Sequence, residues 1–283
     1  MNLEVKNLSH IYSEKTPFER VALNDISLSI GSGEFIGLIG HTGSGKSTLI
    51  QHFNGLNKPS SGQVLIDGQD IFADKKRLFE TRFKVGIVFQ YPEYQLFEET
   101  VYKDIAFGPK NMKLSSEEID RRVKESIKLV GLKESVLEKS PFELSGGQKR
   151  RVAIAGVLAM EPKLLILDEP TAGLDPKGSS EIMGYISEYV NEERSVLFVS
   201  HSMSDVAKYA KRVLVMNDSR LVMDGSVPEI FSRADELKSM GLDVPQVTEI
   251  FSRLRSLGFE LPADVYTSKY ALERILEYKG VAK

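Results

Sequence analysis

The chain has 283 residues, of which 41% are hydrophobic and 27% charged, and a net charge of -3. This profile suits one large globular domain, or one domain with a smaller appendage. It offers no basic excess to support a nucleic-acid binder, and the lack of cysteine excludes disulfides and cysteine-based metal sites. Met1 is followed by polar and charged residues, so no signal peptide is expected, and no run reaches the ~20 apolar residues of a membrane span. Any membrane contact is expected to pass through a partner.

In chain order, residues 3–12 and 22–30 alternate apolar and polar side chains, the pattern of half-buried strands. The apolar run "EFIGLIG" (34–40) reads as a strand buried on both faces and enters a glycine loop. A helix is expected over 47–56, then a turn at 58–62 and a strand over 63–71 with an Asp67-Gly68 turn. Short buried strands follow at 85–90, 164–170 and 195–201, each ending in polar residues, where doubly wound sheets place their ligands. Residues 115–132 read as a helix opened by a Ser115/Glu118 capping box, with apolar residues at 119, 123, 127 and 130 and a stop at Gly131. Residues 212–225 read as a hairpin around Asn217-Asp218-Ser219. Beyond Gly225 only helical stripes appear: Val247, Ile250, Phe251, Leu254 and Leu257, then Leu272, Ile275 and Leu276. These place a domain at 1–225 and a small helical appendage at 226–283.

The segment "GHTGSGKST" (40–48) fits G-x-x-x-x-G-K-[ST], with a strand before it and a helix after it. Its glycines let backbone N–H groups wrap phosphates. Lys46 is placed to bridge the β and γ phosphates, and the Ser47 hydroxyl to bind Mg²⁺. Gly40, Thr42, Gly43, Ser44, Gly45 and Thr48 complete the cradle. In "LLILDEP", Asp168 is suited to hold Mg²⁺ and Glu169 to act as the general base. Gln90 and His201 end two of the buried strands, and both reach the γ-phosphate if those strands are neighbours in one parallel sheet, Gln90 to orient water and contact Mg²⁺, His201 to hydrogen-bond the γ-phosphate and orient the attacking water. His10, His41 and His52 read as surface or structural. A second anion-binding helix start is expected in "ELSGGQKRRVAIAG" (143–156), a tight Ser-Gly-Gly turn running into a helix. The basic run "QKRR" (148–151) reads as the exposed first turn of that helix.

"LSGGQ" (144–148) resembles the signature of ATP-binding cassette (ABC) ATPases, and the other motifs stand in that family's order from residue 1 to about 225. The resemblance implies an α/β fold: a P-loop ABC-type nucleotide-binding domain with an antiparallel β-subdomain, a helical subdomain near 91–160 and a C-terminal helical appendage. It implies that ATP and Mg²⁺ are the ligands, that Tyr12 stacks on adenine and that Asp175 lies in the loop crossing to the opposite subunit. It also answers why one chain carries two anion-binding turns. Two such ATPases face head to tail, and Ser145, Gly146, Gly147 and Gln148 of one cover the ATP held by the other.

A single P-loop with a single signature excludes a tandem cassette, and no long coiled coil separates them. The stretch "QYPEYQLFEETVYKDIAFGPKNM" (90–112) resembles the ATPases of energy-coupling factor (ECF) transporters, cobalt-type ones included, most closely the second of their paired A components. That resemblance implies uptake of vitamins or transition-metal ions, with a partner ATPase (a paralogue rather than an identical chain), a membrane T component and a substrate-binding S component. The implied location is the cytoplasmic face of the membrane. It assigns the tail a role in holding the ATPase pair together, and it puts substrate choice in another polypeptide. The catalytic motifs alone are equally those of an ordinary importer's ATPase. They also leave open a non-transport regulator that uses ATP as a switch, although intact Glu169 and His201 favour turnover.

Overall fold

The computed structural model describes residues 1–279. The first elements are β1 (Leu3–Tyr12), β2 (Arg20–Ile30), β3 (Phe35–Gly40), α1 (Lys46–Phe53), β4 (Ser61–Ile66), β5 (Gln69–Asp70), α2 (Lys75–Lys84) and β6 (Val85–Val88). The helices α3 (Val101–Asn111), α4 (Ser116–Leu129) and α5 (Gly146–Leu158) follow, then β7 (Leu164–Asp168), α6 (Pro176–Tyr189) and β8 (Ser195–Val199). The chain continues with α7 (Met203–Tyr209), β9 (Arg212–Asn217), β10 (Arg220–Ser226), α8 (Val227–Phe231), α9 (Ala234–Ser239), α10 (Gln246–Ser256) and α11 (Ser268–Tyr278). No helix among the described residues is long and apolar enough to cross a membrane.

Two compact units emerge, one of residues 1–34 and 47–199, the other of 35–46 and the described residues from 200 onward. The first unit holds a four-stranded antiparallel sheet in the order β2-β1-β4-β5. It also holds the parallel strands β6, β7 and β8, with β7 central. Each of these three is an apolar run buried almost throughout, as expected where both faces of a strand are covered. In the second unit β3 pairs in parallel with β9, and β9 turns back into β10 at Asp218-Ser219, both left-handed.

Helix α4 shows how a local sequence signal is partly overruled. Ser115 caps it as expected, its hydroxyl accepting from the Glu118 N–H, and Ile119, Val123, Ile127 and Val130 are buried. Glu118, however, does not reach back to close the box. Arg121 and Arg122 engage its carboxylate at 2.8 and 2.7 Å and hold it down to about 2. Two guanidinium partners outcompete one backbone N–H.

In the tail, Phe251, Val265 and Ala271 form a small core with Val247, Leu261, Tyr270 and Ile275 packed on it. The helical stripes are only half covered, because Ile250 (54% exposed) and Leu272 (58% exposed) lie outside this core.

Candidate functional site

The glycine loop leaves β3 with backbone that few side chains could follow. Gly43 and Gly45 hold φ at +84° and +104°. At Gly40 a Cβ would fall 2.4 Å from the Met216 carbonyl oxygen and 2.6 Å from Ser44 Oγ, so only a bare backbone fits. Lys46 opens α1, and its buried ammonium donates to the Gly40 and His41 carbonyls at 2.7 and 3.0 Å. A cation folded back on its own loop is held where an anion would sit. Ser44 is buried, and its Oγ has no hydrogen-bond partner among the described residues. A buried unpaired hydroxyl costs ~1–3 kcal/mol. Together with the cation and the Cβ-free backbone, it marks a cradle whose polar groups fit a phosphate.

Ser47 opens the part of α1 that belongs to the first unit. Ser47 Oγ donates to Asp168 Oδ2 at 3.1 Å, joining the start of α1 to the end of β7. A hydroxyl and a carboxylate form the hard oxygen pair that suits Mg²⁺. One residue on, Glu169 Oε2 accepts from Gln90 Nε2 at 2.9 Å. Glu169 takes a left-handed backbone, φ +52°, as does Tyr91 after Gln90, φ +54°. Both acids are half-buried, so they meet solvent at the strand end. His201 follows β8, exposed, in the second unit.

Tyr12 is exposed at the end of β1 and contacts α1, its Oη 3.3 Å from Thr48 Oγ1 and 3.3 Å from the Asn57 amide. Behind it stand two rings that sequence reasoning set aside. His10 meets Tyr12 edge-on at 4.5 Å and His52 at 4.7 Å. His52 Nδ1 donates to the Thr48 carbonyl at 2.7 Å, which leaves its Nε2 to accept from His10 Nδ1 at 3.2 Å. Burial pushes His52 down to about 4. The signal for His10 was the two-residue spacing that puts it on the same strand face as Tyr12.

Ser145 caps α5 with a complete capping box: its hydroxyl accepts from the Gln148 N–H, and Gln148 Oε1 accepts from the Ser145 N–H. Ser145 and Gly146 are exposed, with open space around Gly146 and Gly147. Asp175 caps α6 through the Gly178 N–H at 2.8 Å. The "QKRR" reading needs correction, because Arg150 is 3% exposed. Its guanidinium grips Glu93 at 2.9 and 3.1 Å instead of facing solvent. The 91–112 stretch is aromatic and open, with Tyr94 85% and Phe97 60% exposed and Phe97 edge-on to Phe107 at 5.1 Å.

Residues 23–172, more than half of the chain, match the ABC transporter family. An energy-coupling factor transporter ATP-binding protein EcfA2 of Clostridium tetani is 56% identical over 98% of this chain and 97% of its own length. The EcfA2 of Clostridium perfringens is 56% identical over 98% of each. Among solved structures, cbiO1 of Clostridium perfringens, part of the ABC transporter complex cbiONQ, has a TM-score of 0.74 at 41% identity, covering 90% of this chain and 97% of that one. A dimeric ATP-binding cassette bound to ADP and Pi has a TM-score of 0.70 at 31% identity, over 80% and 98%. The chain belongs to the ABC transporter ATPase family, within its energy-coupling factor ATP-binding proteins of the EcfA2 type.

Proposed function

We propose that this chain is the ATP-hydrolysing subunit of an energy-coupling factor transporter, powering uptake of a vitamin or transition-metal ion through a separate membrane T component and S component. It works at the cytoplasmic face of the membrane, paired with a paralogous ATPase. The observation that carries the reading is the Gln90–Glu169 bond at 2.9 Å, one residue from the Ser47–Asp168 bond. It sets a polar amide against a base beside a metal-type oxygen pair.

In this reading the loop from Gly40 to Thr48 binds the phosphates of ATP, with Thr42, Gly43, Ser44 and Gly45 offering N–H groups and Lys46 its charge. Ser47 and Asp168 hold Mg²⁺, with Gln90 beside them. The ion would screen phosphate charge while bound. Glu169 takes a proton from water at a carboxylate oxygen, the kind of step worth ~10²–10⁴-fold. Gln90 orients that water, and His201 hydrogen-bonds the γ-phosphate. Tyr12 stacks on adenine. Ser145, Gly146, Gly147 and Gln148 cover the partner's nucleotide, and Asp175 lies at the crossing. ATP held by both surfaces favours the closed pair, and its hydrolysis releases it, a shift between two states by differential contacts.

The tagged chain, recovered from gently solubilised membranes, tests this by mass spectrometry of what comes with it. A paralogous ATPase with one common membrane protein and several small variable ones is expected. Recovery of a dedicated permease pair would make the chain an ordinary importer's ATPase, and recovery of no membrane protein would remove transport.

A further inference from the structure

Arg150 is the buried cation that the ATPase reading leaves unused. It lies on the second turn of α5, yet its guanidinium serves two other segments. Nε and Nη2 donate to the two carboxylate oxygens of Glu93 at 3.1 and 2.9 Å, in the short helical turn just after Gln90. Nη1 donates to the Ala172 carbonyl at 2.6 Å and the Pro170 carbonyl at 3.4 Å, in the loop just after Glu169. The same guanidinium lies 5.8 Å from the Tyr91 ring centroid. Burial alone would raise the Glu93 carboxyl, but the bonds from Arg150 hold it below its ordinary value.

Stability is a weak reason for such a group. A buried ion pair often contributes no more than well-packed apolar side chains would. Its position is more telling. The two non-glycine residues with left-handed backbone at this site, Tyr91 and Glu169, lie one on each of the segments that Arg150 joins. Such backbone costs on the order of 1–3 kcal/mol and persists only where the surroundings over-determine it. The fork of Arg150 supplies that constraint to both segments at once, and a planar guanidinium can do so where a point cation cannot.

We propose that Arg150 is a positioning residue for ATP hydrolysis. By pinning the segment after Gln90 to the loop after Glu169, it keeps the amide and the base in one fixed relation. Its partner Glu93 lies within the aromatic 91–112 stretch, so displacement of that stretch acts on the base through this junction. The proposal rests on the roles given above to Gln90 and Glu169.

The test uses the full-length chain assembled with its native partners and measures kcat, KM and the dissociation constant for ATP. Arg150→Lys keeps the charge but loses the fork. It is expected to lower kcat by about tenfold to a hundredfold, the size of effect a small misplacement of reacting groups produces, with ATP affinity unchanged. Glu93→Gln is expected to lower kcat in the same way. The double variant is expected to be no worse than the weaker single, because both remove one junction. Arg150→Lys at wild-type kcat would overturn the proposal. So would losses that multiply in the double variant, or affinity that falls in step with kcat. If Arg150→Lys does not fold, Glu93→Gln is decided on the same kcat and affinity criteria. Glu169→Gln, assayed alongside, separates the two layers: wild-type turnover there removes the base itself, whereas an inactive Glu169→Gln beside a fully active Arg150→Lys and Glu93→Gln removes only the positioning role.

Discussion

Gln90 Nε2 donates to Glu169 Oε2 at 2.9 Å, so the amide and the carboxylate at this strand end lie within one hydrogen bond of each other. The contact bridges the ends of β6 and β7, adjacent parallel strands. Sheet pairing thus brings together two residues that lie 79 positions apart in the chain.

Glu169→Gln removes the proposed proton acceptor while leaving the cradle of Gly40 to Ser47 intact. Turnover is expected to fall by ~10²–10⁴-fold with ATP affinity unchanged and the nucleotide-bound pair accumulating. Single-turnover hydrolysis and equilibrium binding, measured on one preparation, check both halves.

Lys46→Ala deletes the ammonium that bonds the Gly40 and His41 carbonyls. Charge-assisted bonds are worth ~1.5–3 kcal/mol, so ATP affinity is expected to drop by about tenfold to a hundredfold. Titration calorimetry reads this directly, and wild-type affinity would remove Lys46 from phosphate binding.

His52 has a folded-state value of about 4, below its ordinary 6.5, because burial disfavours the charged ring. The unfolded chain therefore takes up the proton first as pH falls. The stability that His52 supplies is complete above pH 6.5 and is lost progressively toward pH 4. Melting temperatures across that window are expected to fall less steeply for His52→Gln than for the wild type. Identical slopes would assign the acid sensitivity to other groups.

Much of the fold was legible because the apolar runs are short, uninterrupted and bounded by glycine or polar residues. The strand, loop and helix around the glycine loop and the buried strand of "LLILDE" could be placed from spacing alone. What stayed hidden depended on neighbours distant in sequence. Nothing in "QKRR" says that its third residue is buried, since Glu93 and the carbonyls of Pro170 and Ala172 come from elsewhere in the chain. The Ser115 cap was readable from local spacing, whereas the diversion of Glu118 needed the positions of two arginines. The tail's periodicity marked amphipathic helices but not which half of each stripe its small core would cover.

Ile250 and Leu272 are among the uncovered stripe residues, with Leu257 and Leu276. If the tail pairs the ATPases, Ile250→Glu with Leu272→Glu is expected to weaken pairing while leaving nucleotide affinity unchanged. Light scattering over a concentration series measures it. These changes are gentler than deleting 226–283, which would also strip α8 from its contacts with β9 and β10. Undiminished pairing would give the tail another task.

The open aromatics of residues 91–112 set a limit on the chain when it stands alone. Tyr94 and Phe97 place apolar surface in water, and surface of that kind invites self-association when nothing covers it. If the proposed membrane partner covers this surface, a cell that made the subunit in excess of that partner is expected to accumulate an aggregation-prone orphan. The stoichiometry of synthesis then becomes a condition for the chain's persistence, imposed by the same side chains that make the surface sticky.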